Sequence, residues 1–258
     1  MPELPDVEVF SRNLNKLLAG KKLVKLKVVS GSKLKDKPKL LTQNLEGKTL
    51  RKIYRSGKEM RFEFTDETLM GLHLMLTGDI FVFDKKNTHH STIVELYFEG
   101  DFGIALTDRM KNANIKLNPE DKKGVDALST ELNFKYLKEV LNRKTTIKNI
   151  LLDQNIIRGI GNGYSDEILW ETKISPFSVA SAIPDEKIKE LAKTIKTVLK
   201  TATQKIYKTF PGRVNDEVKE FLKIHTKEKK NSPAGALIKI DAKGMRKTYY
   251  TDEQVLYR

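Results

Sequence analysis

Cysteine is absent from the 258 residues, tryptophan occurs once and histidine four times. The first absence excludes disulfides and every thiolate zinc site, and four scattered histidines offer no metal-ligand spacing, so neither metal nor cofactor is expected. No run approaches the roughly 18 apolar residues that a membrane-spanning helix needs, and the first residues lack the basic-then-apolar order of a secretory signal. The chain is therefore expected to be soluble and cytoplasmic. Acidic residues are in deficit as well, with 34 Asp and Glu against 48 Lys and Arg and a formal charge of +14. That balance favours polyanionic partners, nucleic acid first, although an anionic membrane surface would also account for it.

Along the chain the apolar period changes twice. After Pro5, the residues Val7, Phe10, Leu14, Leu17 and Leu18 recur at helical spacing, with Gly20 placed at the C-terminal stop. From Leu23 to about Leu117 short alternating runs such as MRFEFTD, DIFVF and TIVELYF are separated by Gly, Asp and Asn, the pattern of two packed β-sheets. The polar NPEDKKGVD follows as a linker, set at residues 119–130 between an N-terminal domain (1–118) and a helical domain (131–222). Phe134, Leu137, Val140 and Leu141 mark one helix there, Ile147, Ile150, Leu151 and Leu152 a second, and the stripe from Ile188 to Leu199 a long one opened by Pro184. Residues 223–258 return to alternation around a turn at AKG and are expected to form a β-hairpin. The fold class is thus α+β: a β-sandwich flanked by helices, then a helical domain with a hairpin appendix.

Two stretches carry possible chemistry. MPELPD opens the chain, and trimming of Met1 would expose Pro2 as a secondary amine beside Glu3. In KTTIKNILLDQNIIRGIGNGYSDEILW an apolar helix runs into GIGNG before a second helix starts near Asn162. Successive N–H groups at such a start form a phosphate seat, and Asn162 is placed to cap the helix; a plain helix–helix turn is the competing interpretation. GIGNGY lacks the third glycine of a dinucleotide-binding loop and follows a helix, not a strand, which makes that assignment the weakest of the three.

MPELPDVEV, SGKEMRFEF, HLMLTG and the IKNILLDQ…GIGN block occur in this order across nearly the whole chain. Together they resemble the formamidopyrimidine-DNA glycosylase and endonuclease VIII family of base-excision repair enzymes. The resemblance implies that the central block is a helix-two-turn-helix element and that the partner is double-stranded DNA containing damaged bases or abasic sites, bound by a monomer. It further implies that Pro2 is the nucleophile, Glu3 the acid/base residue and Lys58 a phosphate-binding lysine near the lesion. A chain-end amine has a pKa of about 7.7–8.0 against about 10.4 for lysine, so it is more often neutral and can attack a nucleoside carbon. His73, Asn162 and Arg246 fall on phosphate-contact positions, and Glu167 on an acidic residue of the second helix.

The chain departs from that family in three places. The hairpin's four cysteine positions are Ser232, Gly235, Thr251 and Gln254, which resembles the zincless finger of some relatives, held by strand pairing and packing alone. The residues that fill the gap behind a flipped base differ: Leu76 stands where a methionine is usual, with Met75 beside it, and TDRMKNANI keeps Asp108 and Arg109 but loses the proline and phenylalanine, leaving Met110 as a substitute wedge. The segment FPGRVNDEVKEFL is short, which argues for oxidised pyrimidines, opened purines or bulky lesions over 8-oxoguanine. The resulting expectation is a DNA glycosylase with abasic-site lyase activity. The alternatives are a non-catalytic lesion or junction binder on the same scaffold and, from charge alone, an RNA-binding protein.

Overall fold

In the computed structural model, residues 1–242, 244 and 246–258 are described. They divide into two units, Met1–Asp121 with Ile206–Glu217, and Lys122–Lys205 with Val218–Arg258.

The first unit starts with α1 (Leu4–Leu18), whose Val7, Phe10, Leu14 and Leu18 are buried while Leu17 stays 38% exposed. The helix stops where expected: Ala19 is the C-cap and Gly20 follows with φ +83°, a left-handed conformation that costs glycine little. Eight strands follow, β1 (Leu23–Val28), β2 (Leu50–Ser56), β3 (Glu59–Phe64), β4 (Leu69–His73), β5 (Gly78–Asp84), β6 (Thr92–Phe98), β7 (Phe102–Asp108) and β8 (Asn114–Leu117). They form two antiparallel four-stranded sheets, ordered β1-β6-β7-β5 and β2-β3-β4-β8. Inward residues of both, among them Leu26, Phe62, Met70, Ile80, Leu96 and Leu106, share one core with α1. Asn15 fixes α1 against this sandwich by accepting the Ile53 N–H at 2.7 Å.

One helix escaped the sequence pattern. Pro38–Leu45 forms α2, with Pro38 in its first turn and Leu41 and Leu45 buried in the same core. A window tuned to a two-residue period passes over a pair of leucines four apart, and proline at a helix start was the available signal.

In the second unit, part of the polar stretch first read as a linker is paired: β9 (Val125–Asp126) runs parallel to β10 (Ile157–Arg158). Between them lie α3 (Phe134–Leu141), capped by Asn133 accepting from Tyr136 N–H, and α4 (Ile147–Leu152), capped by Thr146. Helix α5 (Asn162–Glu171) is buried from Gly163 to Trp170 on every side, which is why its sequence shows little amphipathic pattern. Helix α6 (Asp185–Thr209) carries the expected stripe Ile188, Leu191, Ala192, Ile195 and Leu199, and its last turn belongs to the first unit. The chain ends in β11 (Lys239–Asp241) paired antiparallel with β12 (Thr248–Tyr250). Lys243 and Met245, in the turn anticipated at AKG and just after it, lie outside the described residues. Among the described residues no helix is long and apolar enough to cross a membrane.

Phe62 on β3 has no exposed surface. Phe62→Ala is expected to lower unfolding stability by about 3–5 kcal/mol through lost burial and a residual cavity, read as a lower urea midpoint.

Candidate active site and nucleic-acid interface

Pro2 and Glu3 are buried at the start of α1, Glu3 being 4% exposed. Glu3 is the N-cap, and a reciprocal capping box holds it: its side chain accepts from Asp6 N–H, while the Asp6 carboxylate accepts from Glu3 N–H at 3.1 Å. The pattern Glu-x-x-Asp was visible in MPELPD, yet Asp6 was not singled out. The ammonium of Met1 forms an ion pair with Glu217 at 3.2 Å.

Lys58 occupies the two-residue turn between β2 and β3, after Gly57 with φ +61°, the geometry of a type II′ hairpin. Arg55 fixes this turn to α1, donating to Glu8 at 2.9 Å and to the Gly57 carbonyl at 3.0 Å. Behind it Arg61, 4% exposed, donates to the Pro119 carbonyl at 2.6 Å and pairs with Asp121 and Glu59 at 3.0 and 3.1 Å. Gly71 leaves room for that arrangement, since a Cβ there would come within 2.2 Å of Glu59 Oε1.

The proposed wedge residues sit on two loops tied by one carboxylate. His73 ends β4 and its Nδ1 accepts the Met75 N–H at 2.9 Å, which places the proton of the neutral ring on Nε2. Met75 takes φ +56°, and Leu76 is 60% exposed at the tip. On the second loop, Asp108 accepts from Met110, Asn112 and Ala113 N–H at 2.9, 2.8 and 2.8 Å, and from the Thr77 hydroxyl of the first loop. Burial pushes the Asp108 carboxyl up, but these donors together hold it below the ordinary carboxylate range. Lys33 adds bonds to the Met110 carbonyl and Asn112. Arg109 and Met110 remain exposed.

In the second unit Gln154 orders the Gly-rich turn from within, donating to the Leu152 and Ile160 carbonyls and accepting from Gly159 N–H. Asn162 is not the cap: Gly161 holds that position, and Asn162 is the first helical residue. Its side chain donates to the Lys247 carbonyl at 2.8 Å, leaving Oδ1 buried without a partner. Glu167 faces inward, accepting from Lys223, Ile224 and His225 N–H, so its acid is pushed up by burial and only partly pulled back by those bonds. Beside it Asp166, fully buried, receives Lys148 at 2.6 Å, His225 at 2.7 Å and Tyr249 N–H at 2.9 Å. Arg246 is exposed on the loop joining β11 to β12.

The four hairpin positions do not fit a zinc ion: none is a thiolate, and no group of three or more His, Cys, Asp or Glu among the described residues could hold a metal. Packing and strand pairing do not act alone there, however. Glu253 accepts from Lys173 at 2.7 Å, Trp170 Nε1 at 2.9 Å, Ser232 at 2.7 Å and Thr251 at 3.1 Å. Gln254 accepts from Thr251 N–H at 2.8 Å and donates to the Ile174 carbonyl at 2.8 Å. Lys173 first, then Trp170, pull the Glu253 carboxyl down to about 2 against the effect of burial. Glu253 escaped the sequence pattern because it is one of the two residues between the lost ligand positions Thr251 and Gln254, and not one of those positions.

Comparison with known proteins comes down on one family. A model of the formamidopyrimidine-DNA glycosylase N-terminal domain matches residues 1–115, and one of the H2TH domain of the same enzymes matches residues 123–210. Formamidopyrimidine-DNA glycosylases of Lactobacillus gasseri and Lactobacillus johnsonii are 32% and 30% identical over the whole of both chains. The wild-type Lactococcus lactis Fpg, solved with a DNA containing N7-benzyl-Fapy-dG, superimposes with a TM-score of 0.87 at 25% identity, covering 98% of this chain and 99% of that one.

Because the folded pKa of Glu253 lies below the unfolded value of about 4.3, its contribution to stability is complete above that value and lost as pH falls toward 2. Acid titration should therefore loosen the hairpin between about pH 4 and 2, followed by Trp170 fluorescence. Glu253→Gln should lack that step and show faster amide exchange in residues 230–255 at neutral pH.

Proposed function

As the chain belongs to the formamidopyrimidine-DNA glycosylase family, a group of base-excision repair enzymes, we propose that it removes damaged bases from duplex DNA through Pro2 and then cleaves the strand as an abasic-site lyase. The observation that carries the proposal is the buried start of α1, where the capping box holds Pro2 and Glu3 in one place. The amine attacks C1′, the bond to the base breaks, and the resulting cationic Schiff base acidifies the sugar for elimination. Glu3 serves sugar-ring opening and proton transfer, and Lys58 a phosphate next to the lesion. A retained Met1 would make the Pro2 nitrogen an amide with no lone pair to attack, so the active form begins at Pro2.

His73, Asn162 and Arg246 are assigned to phosphates, which set the register of the duplex while the target nucleotide is turned out. Leu76, with Met75 beside it, and Met110, with Arg109, fill the gap left behind. The exposure of Leu76 and Met110 on loops that Asp108 holds together supports this wedge role. Ring-opened purines come first among the substrates, in keeping with the N7-benzyl-Fapy-dG DNA of the Lactococcus lactis structure. Oxidised pyrimidines come next, ahead of 8-oxoguanine, because the segment after α6 is short.

Incubated with abasic-site duplex and borohydride, protein whose intact mass begins at Pro2 should yield a covalent adduct, and Pro2→Gly, whose chain end is a primary amine, should yield markedly less. Failure of the wild type to give an adduct on any lesion or abasic site would sink the assignment. Arg246→Ala should weaken binding on all sequences alike and reduce the slope of log K against log salt by about 1.

A further inference from the structure

A nucleophilic amine must shed a proton before it attacks, and the fold gathers carboxylates where that proton sits. The terminal ammonium, carried here by Met1, lies 3.2 Å from Glu217 Oε2, with both side chains partly shielded at 30% and 23% exposure. Glu217 is the last residue of the 206–217 segment that returns to the first unit. That segment is fixed where it matters: Asn13 donates to the Arg213 carbonyl at 2.8 Å, Val214 packs on the core, and Asp216 N–H donates to Asp79 at 3.2 Å. Trimming Met1 moves the amine by one residue, and adjacent backbone nitrogens are no more than about 3.7 Å apart. Pro2 is buried and held by α1, so the new amine stays within reach of a Glu217 side-chain rotation.

Resting on the assignment of Pro2 as nucleophile, we propose that Glu217 is the base that takes the proton from the Pro2 ammonium. The proton passes from the Pro2 nitrogen to the Glu217 carboxylate, and the freed lone pair forms the bond to C1′. The bond from C1′ to the damaged base breaks with its electron pair leaving on the base, which takes up the proton held by Glu217. The second proton on the Pro2 nitrogen moves to the ring oxygen as the sugar opens, leaving the cationic Schiff base. Glu3 remains the residue for that later transfer, its carboxylate being fixed by the capping box.

Among the described residues, these acidic groups lie on the elements that carry the terminus and Glu217 or act on Asp79. On α1 they are Glu3 and Asp6; on β5, Asp79; on β7, Asp108, which acts on Asp79; and on the 206–217 segment, Asp216 and Glu217. Burial pushes the Asp79 carboxyl up, the Asp216 N–H draws it back, Asp216 and Asp108 repel it, and the terminal ammonium favours its charge. Asp79 thus holds the segment that presents Glu217, a positioning role. Lys58, on the turn that Arg55 ties to α1, brings a positive charge to the proposed site.

A carboxylate that only neutralised the ammonium would raise the amine's pKa and slow attack, so the two roles give opposite results on substitution. The test is the rate of borohydride trapping on abasic-site duplex from pH 5.5 to 9.5, about the range that spans the amine's titration, for wild type, Glu217→Gln and Glu217→Asp, each confirmed by mass to begin at Pro2. If Glu217 takes the proton, Glu217→Gln traps at least about tenfold more slowly near pH 7 and approaches wild type at the alkaline end, while Glu217→Asp keeps most of the rate. A profile equal to wild type, or faster trapping near neutrality by Glu217→Gln, overturns the role. A wild type that traps at no pH removes the Pro2 assignment itself, whereas a trapping wild type with an indifferent Glu217→Gln removes Glu217 alone.

Discussion

The reciprocal capping of α1 by Glu3 and Asp6 is the constraint on which the rest of the first unit's chemistry depends. A chain end is ordinarily the most mobile part of a protein, because few contacts oppose its conformational entropy. Here two orphan N–H groups of the helix start are satisfied by side chains next to Pro2, and the apolar face of the same helix is sunk in the sandwich core. The stability of the core is thereby transmitted to the first residues. Arg55 extends this to Lys58 through Glu8, so two residues far apart in sequence are referenced to one helix.

The second unit solves a different problem. A short hairpin with three-residue strands cannot hold itself in water, and the absence of cysteine removes the usual clamp. Glu253 fills that role electrostatically, collecting one ammonium, one indole N–H and two hydroxyls. Such a hub differs from a metal in resting on one carboxylate that accepts every bond, so protonating that single group weakens all of them. Asp166 acts in the same way deeper inside, where an unpaired carboxylate would be costly and three donors offset the burial.

Asp108 belongs with these two. One buried carboxylate orders both loops that carry Leu76 and Met110, taking the Thr77 hydroxyl from the first and, from the second, backbone N–H groups that any residue but proline can supply. The loss of proline and phenylalanine from that stretch therefore does not leave it without order. Carboxylates as local organisers recur because each can accept several bonds at once, and a chain rich in lysine still has acid groups to place at these points.

Much of this was legible from residues alone. Periodicity separated sandwich from helical region and located α1, α3, α4 and α6, and the Gly-rich turn marked the start of α5, because these signals lie within a few residues; Pro2, Glu3, Lys58, Asn162 and Arg246 were named only through the resemblance of motifs ordered along the whole chain. What escaped was α2, masked by neighbouring strands, the inward turn of Glu167, and the cap position at Gly161, where the choice between two adjacent residues depends on backbone angles. Glu253, Arg61 and Glu217 carry no local mark at all. Glu217 meets the chain terminus across 216 residues, a proximity that only the folded backbone creates. Sequence determined which elements form and which side chains are available for chemistry; tertiary structure decided which of those side chains meet, since hydrogen bonds and ion pairs depend on distances that chain order does not encode.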